Sequence, residues 1–293
     1  MKKAMIICNP SSGKEEAEKN VDRVKEILIK KEFTVDLRMT EKERDAENFA
    51  KLACRERFDV VVSMGGDGTL NETINGLAEQ EHRPELGIIP LGTVNDFARA
   101  LHIPLEPDQA IELLTEGYTR PVDIGKINTT YFMNIVAVGE IAEASFSVSA
   151  KQKTLLGPLA YFIEGLKTLT SNHSFPIKLQ HDNGTWDGEA LLILATLTNS
   201  VGGFDKAAPD AKVDDGHLKC IIIKDASIFQ VMKLTASLLK GEHINHDSVE
   251  YISTSAIKIS SSHPLCSNVD GDQGCELPLE LHVLPEHIQV FVP

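Results

Sequence analysis

The sequence predicts an α/β domain built on a parallel sheet, followed by a mostly antiparallel β domain. Three observations predict it. In the first third, short β-branched runs alternate with amphipathic helical patterns, as strands joined by crossover helices do. Runs such as Asp59-Val60-Val61-Val62-Ser63-Met64 are short, largely apolar and β-branched, as strands buried on both faces are. After about Ile124 the pattern changes to longer strand-like runs with hairpin signals. At 293 residues the chain is long enough for two domains with their own cores. The expected boundary gives residues 1–125 to the first domain and 126–285 to the second.

Lys3 to Cys8 reads as the first strand, Glu15 to Lys31 as a charged helix and Thr34 to Met39 as the second strand. Ala46, Phe49, Ala50 and Ala53 recur at helical spacing and give one apolar face. The run ending at Met64 is the third strand, and Leu70 to Leu77 reads as the helix after it. Leu86-Gly87-Ile88-Ile89-Pro90 is a fourth strand, and Asn95 or Asp96 is placed to cap the next helix. Ala110 to Leu114 forms the centre of one more helix, entered through Pro107-Asp108 and ended near Gly117. In the second part, Tyr131 to Val138, Phe175 to Gln180, Trp186 to Thr198, Lys219 to Ile223, Val249 to Ser260 and Leu279 to Val283 suit strands. Asp182-Asn183-Gly184-Thr185 marks a hairpin turn, and Leu156 to Leu169 and Ile228 to Lys240 read as helices.

A net charge of -14 opposes binding to nucleic acid or general attraction to an anionic membrane. No run approaches the roughly 18 apolar residues of a membrane span, and the apolar run after Lys2-Lys3 is too short for a secretory leader. Five cysteines without C-x-x-C spacing indicate neither a disulfide framework nor a zinc site. These features lead to the expectation of a cytoplasmic protein with free thiols.

The chemistry is expected in three loops that follow strands and so gather at one sheet edge. They are Asn9-Pro10-Ser11-Ser12-Gly13-Lys14, Gly65-Gly66-Asp67-Gly68-Thr69 and Leu91-Gly92-Thr93-Val94-Asn95-Asp96. Gly65, Gly66 and Gly68 can take positive φ and expose amides to an anion at a helix start, where the dipole also favours phosphate. An acid at Asp67, inside such a turn, suits either a metal partner or an orienter of the loop. Each loop alone also suits plain turn chemistry; three together favour an anion or nucleotide site. His243 and His246 sit in what reads as a surface turn, and His263 and Cys266 lack further ligands at zinc spacing.

The segments NPSSGK, GGDGTLNETINGL and LGIIPLGTVNDFARAL resemble the catalytic domain of the diacylglycerol kinase family, in its soluble bacterial branch. Val122 to Asn128, Lys153 with Gly157 to Tyr161, Ala208 to Gly216 and Val269 to Asp272 resemble that branch in order and spacing, so the likeness covers nearly the whole chain. It implies a three-layered α/β domain of phosphofructokinase and NAD kinase type, a β-sandwich after it, and return of the strand at 286–293 to the first domain. It further implies ATP held by Asn9, Pro10, Ser11, Ser12 and Gly13, by Thr40, by Gly65, Gly66, Asp67, Gly68, Thr69, Leu70 and Asn71, and by Thr93.

By the same resemblance Asp67, Asp96 and Asp123 surround a catalytic magnesium, and Lys153 neutralises phosphate. Read as residues alone, Asp96 also suits a helix cap, Asp123 a surface acid and Lys153 the flank of a helix. A second, structural magnesium is implied at Lys212, Asp215 and His217, with Asp215 supplying the carboxylate and the others carbonyls; an empty Asp-Asp-Gly turn is the alternative. Where the branch carries Asp-Gly-Glu with the glutamate as general base, this chain has Asp270-Gly271-Asp272. Asp272 becomes the expected base, with a side chain shorter by one methylene, and Asp270 its competitor.

The expected function is an ATP- and magnesium-dependent kinase of diacylglycerol, transiently membrane-associated and homodimeric by family analogy. Leu155 to Leu159 is the candidate membrane contact, with a buried helix start as the alternative. Another lipid alcohol as acceptor (sphingoid base, ceramide or monoacylglycerol), NAD kinase activity and a non-catalytic nucleotide- or lipid-binding role are the competing readings.

Overall fold

The computed structural model describes residues 2–12, 16–139, 174–204 and 206–293. Gly13, Lys153, the Leu155 to Leu159 patch and the helix expected from Leu156 to Leu169 lie outside these residues. The chain divides into two compact units, residues 1–124 with 285–293, and residues 125–284.

In the first unit, strands β1 (Lys2–Cys8), β2 (Phe33–Met39), β3 (Val60–Gly65) and β4 (Glu85–Pro90) alternate with helices α1 (Glu16–Lys30), α2 (Asp45–Arg55) and α3 (Asp67–Leu77). Helices α4 (Asp96–Ala100) and α5 (Pro107–Glu116) follow, then β5 (Tyr118–Ile127). The strands pair in parallel in the order β4-β3-β1-β2. All six β3 residues are buried, which is why that run lacks polar alternation; its one polar side chain, Ser63, shares a hydrogen bond with the Thr73 hydroxyl. Helix α1 packs with α5, and α2 with α3. A helical layer on each face makes the three-layered α/β arrangement.

The close α2–α3 contact follows from one glycine. A Cβ on Gly76 would lie 2.4 Å from the Glu47 carbonyl oxygen, so only glycine lets the two backbones approach this far. Glu72 on α3 then accepts the backbone N–H groups of Arg44 and Ala46 at 2.9 and 3.1 Å, serving the start of α2 from a neighbouring helix. The final strand, β15 (Leu279–Val292), pairs in parallel with β4 through Val290 and Leu86.

The second unit is a β-sandwich. Its strands are β6 (Thr130–Phe132), β7 (Ile135–Val138), β8 (Phe175–His181), β9 (Gly184–Thr196), β10 (Leu218–Lys224), β11 (Val249–Thr254), β12 (Ala256–Ser260), β13 (Cys266–Val269) and β14 (Asp272–Glu276), with α6 (Ile228–Lys240) between β10 and β11. Strand β9 pairs antiparallel with β7, β8 and β10. Leu218, Cys220 and Ile222 of β10 enter one core with Phe132, Ile177 and Ile257. Ile221 and Ile223 face the other way and pack with Leu191, Leu194, Val231 and Leu234. A strand that is covered on both sides is apolar on both along most of its length.

Two runs that read as single strands are each broken by an aspartate from elsewhere. Tyr131 to Val138 divides into β6 and β7, where Asp270 takes the amides of Met133, Asn134 and Ile135. Val249 to Ser260 divides at Ser255, whose N–H and hydroxyl both donate to Asp182 at 2.8 Å. Backbone amides turned toward a carboxylate cannot also serve a ladder. His243 is the other correction: the turn around it does lie at the surface, with Glu242, Asn245 and Asp247 exposed, but His243 itself is 3% exposed and its Nε2 lies 2.8 Å from the Ala207 carbonyl oxygen.

Candidate functional site

Parallel strands end at one edge, so topology alone gathers the segments after them: Asn9–Ser12, Thr40, Gly65–Asn71 and Leu91–Asp96. Backbone bonds stitch them together. Asn9 donates to the Met64 carbonyl and Thr40 to that of Cys8, both at 2.9 Å, and Leu91 donates to that of Gly65 at 2.8 Å. With the order β4-β3-β1-β2 the winding reverses between β1 and β3, and open α/β sheets bind ligands at such a switch. The Asn9 side-chain amide crosses this point to the Thr69 hydroxyl at 3.2 Å, while Asn9 Oδ1 accepts the Ser11 N–H at 2.9 Å and curls the loop.

The glycines act by closeness rather than by handedness. None of Gly65, Gly66 and Gly68 has positive φ, contrary to expectation. A Cβ on Gly92 would lie 2.6 Å from Gly66 Cα, so the two loops touch backbone to backbone. A Cβ on Gly68 would meet nothing within 4 Å; this residue lies exposed at the first turn of α3, where helical amides lack intrahelical acceptors.

Asp67 is the clamp between those loops. Its Oδ2 accepts the Asn95 N–H at 2.8 Å and its Oδ1 the Asp96 N–H at 3.0 Å. Burial holds the Asp67 carboxyl above its ordinary range; the Asn95 amide pulls it down, and the nearby Asp96 charge adds to the rise. Of the two roles open to this acid, loop orientation is therefore present in the geometry. Asn95 precedes α4 in a left-handed conformation, φ 55°, and does not cap that helix. Its side chain instead brackets Gly92, accepting from the N–H at 3.1 Å and donating to the carbonyl at 2.8 Å. Thr93 stands exposed on the loop so formed.

Asp123 is not a surface acid. It is 2% exposed on β5, and its Oδ1 accepts the N–H of Glu286, a residue in the left-handed region, at 2.7 Å. Asp67 and Asp96 are thus brought into contact, whereas Asp123 is fixed by the chain's last strand.

Among the described residues, no group of three or more His, Cys, Asp or Glu side chains is placed to hold a metal. Magnesium needs no such cage: it keeps several waters and takes one or two carboxylates with phosphate oxygens. Asp67 and Asp96, held side by side by the bond from the Asp96 N–H to Asp67 Oδ1, offer the one or two carboxylates that requirement names.

A cavity of about 490 Å³ lies elsewhere in this unit, lined by Lys2, Lys31, Phe33, Val60 and Glu85. Those residues stand at the strand beginnings or just before them, at the edge opposite the glycine loops. The recess at Gly65, Asp67 and Asn95 holds only about 10 Å³. The chemistry, not the volume, identifies the site, because phosphate needs amides on an open edge.

In the second unit Asp270 and Asp272 separate clearly. Asp270 accepts three backbone N–H groups, from Met133 at 2.8 Å, Asn134 at 3.0 Å and Ile135 at 2.8 Å. Asp270 and Gly271, with φ 50° and 100°, form the two-residue turn of the β13–β14 hairpin. Asp272 begins β14 and is exposed. Asp270 is thus committed to backbone amides, while Asp272 presents its carboxylate at the surface. The Asp-Gly pair is itself a hairpin signal, and could have located this turn in the sequence.

The residues expected to hold a second magnesium do not fit one. Asp215 Oδ1 accepts the His217 N–H at 2.9 Å, and its Oδ2 lies 3.0 Å from the Lys219 ammonium. The Asp215 carbonyl oxygen is 2.6 Å from His217 Nδ1. Lys219 is 5% exposed and also donates to Ser253 Oγ at 3.0 Å. A divalent ion about 4 Å from this ammonium would be repelled by roughly 8 kcal/mol at an effective dielectric near 20. Lys219 carried no signal in the sequence, because a lysine beside an acid on a strand is common surface chemistry.

A family model described as Diacylglycerol kinase catalytic domain matches residues 3–127. One described as YegS C-terminal NAD kinase beta sandwich-like domain matches residues 134–292. The chain is 43% identical over 292 residues to a protein of Staphylococcus saprophyticus named Diacylglycerol kinase, covering 100% of this chain and 96% of that one. It is 42% identical to one of the same name from Staphylococcus aureus strain MRSA252, covering 100% and 93%. A crystal structure of a diacylglycerol kinase from Bacillus anthracis strain Sterne is similar with a TM-score of 0.86 at 27% identity, covering 100% and 97%.

Proposed function

The chain belongs to the diacylglycerol kinase catalytic-domain family and is a phosphotransferase with an alcohol acceptor; from this premise we propose that it phosphorylates diacylglycerol with ATP to give phosphatidic acid. The observation that carries the reading is the Asp67 clamp, which holds the Gly66 and Gly92 loops in contact beside the start of α3. Amides there bind phosphate oxygens without ordering long side chains.

In this reading Asn9 to Ser12, Thr40, Gly65 to Asn71 and Thr93 hold the nucleotide. Asp67 and Asp96, with Asp123, face the metal region, where magnesium supplies charge neutralisation when bound. The acceptor hydroxyl oxygen forms a bond to the γ-phosphorus as the bond to the ADP oxygen breaks, and Asp272 takes the hydroxyl proton. Asp270 keeps the hairpin that presents Asp272. The acceptor's acyl chains place the reaction at a cytoplasmic membrane face, reached transiently, and family analogy supports a homodimer.

The test is transfer of label from γ-labelled ATP, with magnesium, to vesicles that contain diacylglycerol, monoacylglycerol, ceramide or a sphingoid base. Labelled phosphatidic acid is expected, and Asp272→Asn should abolish it while nucleotide binding stays near normal. Label in another lipid alcohol would move the acceptor. No lipid product despite nucleotide binding would overturn the kinase reading.

A further inference from the structure

We propose that the Lys219 ammonium takes the place of a divalent cation at the head of β10, so that this chain fastens its Lys212–His217 loop with an internal ion pair. The inference goes beyond the proposed reaction and holds whatever the acceptor is.

Asp215 stands where a loop meets a strand, and its oxygens need positive partners. The chain supplies them itself. The His217 N–H serves Oδ1, and Lys219 serves Oδ2 at 3.0 Å. Lys219 lies on β10 with its side chain on the same face as Ile221 and Ile223, where an ammonium could not remain without acceptors. It finds two, the Asp215 carboxylate and Ser253 Oγ on β11 at 3.0 Å. Lys219 pairs with Ser253 in the β10–β11 register, so the strand ladder itself presents this second acceptor.

The neighbouring loop is tied to the same strand. Tyr251 of β11 donates its hydroxyl proton to Asp210, and burial, followed by Asp210, drives its phenol far above the ordinary range. One fixed cation therefore serves the Asp215 carboxylate, and a magnesium ion there would have to displace it. Lysine carries a single charge and no exchangeable water, so the fastening does not respond to chelators or to magnesium concentration.

The experiment counts bound Mn²⁺ per chain by electron paramagnetic resonance, without nucleotide or lipid, and follows thermal unfolding in magnesium and in EDTA. In the wild-type chain, Asp215→Asn should leave the Mn²⁺ count unchanged. Lys219→Met, which removes the charge at similar volume, should gain one Mn²⁺ per chain. Magnesium near 100 times its dissociation constant should then raise the variant's Tm by roughly 5 °C, and Asp215→Asn added to it should abolish both gains. Wild-type Mn²⁺ binding that is lost in Asp215→Asn would overturn the proposal, even if Lys219→Met fails to fold. A folded Lys219→Met variant with no added Mn²⁺ would overturn it as well. Neither readout involves turnover, so its failure is separate from that of the kinase reading.

Discussion

The carboxylate of Asp67 accepts the Asn95 N–H at 2.8 Å, and through it the first turn of α3 is joined to the loop after β4. Its other oxygen takes the Asp96 N–H at 3.0 Å. Asp67→Ala leaves both amides to water, at a cost of about 1–3 kcal/mol. A Tm lower by several degrees and a loss of turnover of about 10²-fold or more are expected. Unchanged turnover in a folded Asp67→Ala protein would show that the clamp does not set the site's geometry.

The glycines predict a contrast. Gly92→Ala drives a methyl group to 2.6 Å from Gly66 Cα, a backbone atom that cannot rotate away. A loss of about 1–3 kcal/mol is expected in denaturant unfolding, with nucleotide binding impaired. Gly68→Ala meets nothing within 4 Å, so stability should stay near wild type. Weakened nucleotide binding without loss of stability in that variant would then mark the space beside Gly68 as the place of the phosphates.

Asp270 and Asp272 should separate in two assays. Asp270→Ala strands three amides that a charged acceptor served, so stability should fall by about 2–4 kcal/mol. Asp272→Asn changes an exposed position and should unfold like wild type. Equal destabilisation by both changes would contradict the division of labour between them.

His243 gives a pH dependence of known sign. Burial lowers its folded pKa below the ordinary 6.5, while its bond to the Ala207 carbonyl acts the other way. The unfolded chain therefore binds more protons just below the ordinary value, and the stability contributed by neutral His243 is present above about 6.5 and lost as pH falls through the folded value. Between roughly pH 7.5 and 5.5 the Tm should decline, and the decline should be smaller in His243→Gln. An equal slope in both proteins would rule out His243 as its source.

Much of the first unit was legible because its signals are local. A parallel strand buried on both faces is apolar along most of its length, so Val60 to Met64 declared itself, as did the helical repeat of Ala46, Ala50 and Ala53. The loops Asn9–Ser12, Gly65–Asn71 and Leu91–Asp96 were legible for the same reason, since strand ends in a parallel sheet share an edge. The β domain was less so. Its two broken strands depend on Asp182 and Asp270, which act on residues 73 and about 136 positions away.

The sequence by itself determined the alternation of strands and helices from β1 to β4, the family and the set of acids and glycines at the sheet edge, because periodicity and loop chemistry are written along the chain. Only the tertiary structure decided what each acid does. Asp67 became a clamp, Asp270 a holder of amides, Asp272 an exposed carboxylate and Asp215 the partner of Lys219. A carboxylate's role is set by which donors reach it and how much water remains, and those partners are brought by folding from distant parts of the chain.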